Sequence, residues 1–302
     1  MGKFWAIVKP VGLIYLTWCL VSLIFYYLGL VLPDNKTIMQ LSEFASIIVF
    51  IFTASFTTIF FIIHIEKQIK EKPYIRTILL LFTILFFFGH YGLVNLTGVK
   101  NNILISLASI NLIFFACIIG AWIITPLKRP AEIVPVCVVV AFADLFSVFS
   151  GPTRHFAGSI SEYYKGGMQG APPFVDFLLV KIISPAYKDL VPVFGVSDWI
   201  IIAFLSAAAV NFNMNDNLLG KNIEEIQKSP VYLFFPIASA GLITAILIAR
   251  LADFFIPALP FVVIVFLVFM MIRYPEMRKL TKTELVPMVI FSSILMTLMI
   301  LF

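Results

Sequence analysis

Nine apolar runs separated by short polar punctuation occupy roughly residues 11–32, 42–64, 76–96, 102–125, 131–149, 192–213, 230–250, 254–272 and 285–302. Each is close to the ~20 residues a helix needs to cross a bilayer core of ~30 Å. The pattern therefore predicts an all-α fold, a polytopic transmembrane helical bundle of about nine spans. Pro126, Pro130, Pro230 and Pro257 stand at or near run ends, where a missing amide costs a helix least. The short Arg250–Asp253 connection predicts a tight hairpin of the seventh and eighth spans. Only segment 150–191 is long without spanning. Within it, the Gly- and Pro-rich stretch 165–173 reads as a linker. Residues 174–187 carry Phe174, Phe177, Leu178, Ile182 and Ile183 on one helical face, which predicts an interfacial amphipathic helix. The runs divide into a four-span bundle (1–130), a central region (131–272) and an extra C-terminal span (273–302).

Composition agrees with a lipid surrounding. The chain has 302 residues, 61% hydrophobic and 12% charged, with a mean hydropathy of +1.05. Soluble chains are about 45–50% apolar and about 25% charged, so too few polar side chains are present to coat a water-facing surface. The net charge of +5 is spread between apolar runs, as membrane-flank charge is, and no nucleic-acid partner is expected. With the N-terminus inside, inner segments hold 14 Lys and Arg and outer segments 7. That bias predicts a multi-pass integral membrane protein with a cytoplasmic N-terminus and segment 150–191 on the non-cytoplasmic side. The first run is too long for a signal peptide and lacks an A-x-A pattern, so it reads as a retained span. Cys19, Cys117 and Cys137 are scattered through apolar runs, and His64, His90 and His155 show no metal-ligand spacing. No metal and no cofactor are expected, and no serine lies in G-x-S-x-G.

Chemistry enters with the acids. Of sixteen acidic residues, only Asp144 and Asp198 lie well within apolar runs. Asp144 is about five residues from the outer end of span five, and Asp198 about six residues into span six from the same side, each roughly 8–9 Å deep at 1.5 Å per residue. A carboxylate inside the membrane is costly and faces a bundle interior or a watery cavity. Two at one depth could share a proton, the ionised one activating a water and the protonated one polarising a carbonyl. The same two acids could instead serve a proton relay.

The surrounding residues resemble the presenilin and signal-peptide-peptidase family of intramembrane aspartyl proteases. Gly195–Val196–Ser197–Asp198 is similar to the family's G-x-G-D motif, Asp144 stands where the family has its Tyr-Asp, and Pro257–Ala258–Leu259 is similar to its Pro-Ala-Leu. The three occur in the family's order over residues 131–272. The resemblance implies a presenilin-like bundle that hydrolyses peptide bonds within transmembrane segments or remnant signal peptides. In it Asp144 and Asp198 are catalytic, and Gly195, Ser197, Pro257, Ala258 and Leu259 contact substrate. Read without it, Gly195 and Ser197 are small residues that permit close backbone approach or plain helix packing, and Pro257 and Pro260 fray or start a helix. Ser197 and Ala143 depart from the family's glycine and tyrosine, and span 285–302 has no counterpart there. The outer placement of 150–191 matches signal peptide peptidases rather than presenilins. The competing class is a proton-coupled secondary transporter using the same aspartates and a proline-broken helix, and an inactive family member is a third reading.

Overall fold

The computed structural model describes residues 2–33, 35–98, 101–168, 170–186, 189–228, 233–252 and 256–301. In chain order, α1 (Gly2–Val31) is followed by α2 (Lys36–Phe61), which passes through a π-helical turn at Ile62–Glu66 into α3 (Lys67–Glu71). Then come α4 (Tyr74–Thr97), α5 (Asn102–Ile123), α6 (Ile133–Phe149) and α7 (Pro152–Lys165). A 3-10 turn at Phe174–Leu178 leads into β1 (Leu179–Ser184) and β2 (Asp189–Gly195). The remainder is α8 (Val196–Asn211), α9 (Ile223–Lys228), α10 (Ile237–Ala252), α11 (Leu259–Arg273) and α12 (Lys282–Leu301).

Among the described residues, six helices are long and apolar enough to cross a membrane: Val8–Val31, Lys36–Glu71, Tyr74–Thr97, Asn102–Ile123, Pro130–Phe149 and Lys282–Met299. The other three apolar runs hold shorter helices, α8, α10 and α11, of 16, 16 and 15 residues. At 1.5 Å per residue these are ~22–24 Å long, short of a ~30 Å core. The Arg250–Asp253 connection reaches Asp253, which lies outside the described residues.

The chain forms two compact units that interleave in sequence. The first holds 1–119, 170–200 and 226–234; the second holds 120–169, 201–225 and 235–302.

In the first unit the expected helix over 174–187 is instead a 3-10 turn and a strand, so the fold is not purely helical. β1 pairs antiparallel with β2, from Leu179 opposite Gly195 to Ser184 opposite Asp189. The reason lies in the residues: Val180, Ile182 and Ile183 favour extended backbone, and Pro185 steers Ser184 out of the helical region. The register shifts between Val180 and Lys181, opposite the strand that carries Pro192, a residue with no amide to give a ladder. Tyr187, the end of the expected helix, and Gln169, within the expected linker, lie outside the described residues.

The hairpin packs on α1 and α2. Val180, Ile182, Ile183, Leu190 and Phe194 are buried. Gly29 of α1 makes room for it, since a Cβ there would sit 3.0 Å from the Pro185 Cα. Lys181 donates its main-chain N–H to Ser109 Oγ of α5 at 3.0 Å and pairs through Nζ with the buried Asp176. Non-helical backbone among spanning helices is tolerated where protein covers it, and this strand is covered.

In the second unit α6 packs against α11 and α12, and α10 against α11. A Cβ on Gly241 of α10 would lie 2.6 Å from both the Phe261 carbonyl oxygen and the Val262 Cα, so the α10–α11 crossing exists only because this residue has no side chain. Arg129 pairs with Glu284, and Ser150 Oγ donates to the Met299 carbonyl, fixing both ends of α12 to the α6 region. Amphipathic character appears in α7 rather than at 174–187, with Ile160 four residues after Phe156 and Tyr163 and Tyr164 three and four residues further on. Gly151 permits the bend from α6 into α7, because a Cβ there would sit 2.8 Å from the Ser147 Cα.

Candidate active site

Asp198 belongs to the first unit and lies at the strand–helix junction. With Gly195 as the residue before α8, Asp198 is its third helical position, and its Oδ2 accepts the Gly195 N–H at 2.9 Å. This is the acidic half of a capping box, with the carboxyl at the positive end of the helix. The small size of Gly195 serves this turn. A Cβ on it would meet Ser197 Oγ at 3.3 Å and Asp198 Oδ2 at 3.5 Å, and the next nearest atom is the Ser197 amide nitrogen. Gly195 therefore makes room for the Ser197 hydroxyl and the Asp198 carboxyl of its own turn. Ser197 is exposed and Asp198 half-buried.

The junction sits deep. Lys181 on β1 bonds Ser109 of α5, while Trp199, next to Asp198, bonds Thr58 of α2, whose hydroxyl lies 3.5 Å from Cys117 Sγ of α5. From Ser109 to Cys117 is ~12 Å of helix, and from the start of α5 to Cys117 ~22 Å. β2 thus carries the chain inward before α8 begins, and Asp198 lies in the first turn of that helix rather than six residues into one.

Asp144 belongs to the second unit, five residues before the end of α6. Its Oδ2 accepts the main-chain N–H of Leu259, the first residue of α11, at 3.0 Å. The local sequence explains why this amide is available. Ala258 precedes α11 with no side chain able to cap it, and Pro260 has no N–H at all, so Leu259 is the first donor the helix end offers. Pro257, Leu259 and Pro260 are buried, and Ala258 is half-buried and accepts the first helical bond from Val262 at 3.1 Å. The three residues of Pro257–Ala258–Leu259 and the Asp144 carboxylate are thereby brought together. Gly195, Ser197 and Asp198 form the other local group.

Two functional candidates escape a reading of acids and motifs. Trp199 is fully buried and donates its indole N–H to Thr58 Oγ1 at 3.0 Å. The signal was present: a buried tryptophan must find an acceptor, and the Thr53–Thr58 stretch of α2 is rich in hydroxyls. Asp216, one of the acids outside the body of the apolar runs, is fully buried in the segment that joins α8 to α9, and burial pushes its carboxyl up to about 7. Among the described residues no group of three or more His, Cys, Asp or Glu is placed to hold a metal ion.

No protein-family model matches the chain, and neither a curated protein nor a solved structure is significantly similar to it.

Proposed function

We propose that the chain is an intramembrane aspartyl protease that hydrolyses peptide bonds within transmembrane segments or remnant signal peptides. Asp144 and Asp198 act as the general acid and base on one bound water. The observation that carries this reading is the bond from Leu259 N–H to Asp144 Oδ2. It joins an acid in a spanning helix to the backbone of the proline motif that the resemblance sets beside the catalytic pair.

The choice of residue favours chemistry over mere capping. A helix cap is worth about 0.5–2 kcal/mol and is ordinarily made by a serine or threonine at the cap position itself. A carboxylate within a spanning segment is costly and marks a functional site by default. Asp144 makes its bond from a different helix, 115 residues away in sequence, so a use beyond capping is expected. The two short apolar helices that begin at the motifs fit the same reading. α8 and α11 both start inside apolar runs, and each leaves extended or irregular backbone just ahead of its first turn. A substrate must unwind to expose a carbonyl, and the β2 side of the two-stranded sheet, away from the covered β1, is an edge on which extended backbone can pair. The excess of Lys and Arg on one set of loops supports a cytoplasmic N-terminus and substrates inserted with their N-terminus inside.

The test is cleavage of a reconstituted single-span reporter by the wild type, Asp144→Ala and Asp198→Ala, with product masses read by mass spectrometry. Loss of product in both variants supports the pair. Product surviving either substitution removes that residue from the mechanism.

A further inference from the structure

The residue after Asp198 is tied into the first unit in a way the capping bond alone does not require. Trp199 and Thr58 are both fully buried, 141 residues apart in sequence, and their hydrogen bond is 3.0 Å long. The hydroxyl is already committed on its other side, donating to the Ala54 carbonyl at 3.0 Å. Its single proton is therefore used, and it meets the indole as an acceptor with a fixed direction. Neighbouring hydroxyls on α2, Ser55 and Thr57, make the same bond to the residue four back. Phe194 of β2 lies against the other side of the junction, its ring stacked on Trp199 with centroids 5.4 Å apart and planes 29° from parallel.

A helix has one rotational freedom about its own axis that a bond at its end does not remove. Successive side chains are ~100° apart, so holding Trp199 to α2 sets where Asp198 points. The ring stack does the same for the strand, fixing Phe194 relative to Trp199 across the Gly195–Asp198 turn. Resting on the protease reading above, we propose that Thr58 is a positioning residue: by accepting the Trp199 indole N–H, it fixes the rotation of the first turn of α8 and so the direction of the Asp198 carboxylate. Thr58 acts on Asp198 through Trp199.

Three variants of the full chain separate this from simple packing. Thr58→Val keeps the shape and removes the acceptor, Thr58→Ser keeps the acceptor, and Trp199→Phe identifies the indole resonance by its loss. In protein labelled at tryptophan indole nitrogen and aspartate Cγ, with Asp198 assigned through Asp198→Asn, Thr58→Val should move both the Trp199 indole and the Asp198 Cγ resonances. It should also lower kcat about tenfold at unchanged KM, since misdirection of a reacting group is paid in the chemical step. Thr58→Ser should restore all three. If Thr58→Val moves the indole resonance but leaves Asp198 Cγ where it was, the positioning role is overturned. If Asp198 Cγ moves as expected while the wild type cleaves nothing, the positioning stands and the protease reading falls.

Discussion

Asp144 Oδ2 accepts the main-chain N–H of Leu259 across 115 residues of sequence. One carboxylate thus closes the open end of α11 and is held in turn by it. Asparagine keeps an oxygen for this bond and alanine does not, which separates the structural from the chemical use of the residue. Asp144→Asn should fold with stability near the wild type and cleave nothing. Asp144→Ala should lose activity and also about 1–3 kcal/mol, the cost of a buried donor left without its partner. Thermal melts beside cleavage assays check both.

The α10–α11 crossing should be intolerant of any side chain at Gly241. With a Cβ only 2.6 Å from main-chain atoms of α11, Gly241→Ala must separate the helices at the point where α11 begins. A destabilisation of about 1–3 kcal/mol is expected, the range for overpacking, and larger for Gly241→Val. The neighbouring Ala240→Gly, made as a control, should cost no more than about 1 kcal/mol.

The Asp176–Lys181 pair holds the base of the β-hairpin. Asp176 is almost wholly buried, so removing either side chain takes an opposite charge away from a poorly solvated one. Asp176→Ala or Lys181→Ala should each cost about 3–5 kcal/mol, whereas the double change Asp176→Leu with Lys181→Met should recover most of it. Equal losses in the single and double variants would show that the pair is not the source of the effect.

Asp216 should make stability depend on pH. Its carboxyl is held up to about 7 by burial, with the Ser206 hydroxyl and its own amide acting in the opposite direction. In the unfolded chain an aspartate titrates near ~3.9. The folded form therefore binds the proton more tightly. Its contribution is fully present below about pH 4 and is lost as pH rises through about 7. Melting temperature should fall across that window in the wild type. Asp216→Asn should flatten this part of the profile and raise the melting temperature at pH 8.

Most of the helical layout was legible because apolar runs and their proline boundaries are set by the same physics that sets span ends. All nine runs contain helix, and among the described residues six helices are long and apolar enough to span. The hairpin was not legible as such. Phe174–Tyr187 reads as an amphipathic helix when taken alone, and only the partner strand 189–195 and Pro185 turn Val180–Ile183 into an extended segment. That misreading also put Asp198 in the body of a span, whereas β2 delivers it to the first turn of α8. Asp144, Asp198 and the proline motif stood out because an acid or an interrupted helix is conspicuous against an apolar background. Thr58 did not, because a threonine in a spanning helix ordinarily bonds its own backbone, and its second partner is 141 residues away.

The protease reading requires the two carboxylates to meet. The direct measurement places cysteines at 144 and 198 in a chain whose native Cys19, Cys117 and Cys137 are replaced, with a protease site inserted in the 165–173 linker. After treatment with a short thiol-to-thiol cross-linker, the chain is cut at that site. The two fragments should stay joined only when both cysteines are present. Fragments that separate although each cysteine is individually labelled would contradict a shared two-aspartate site.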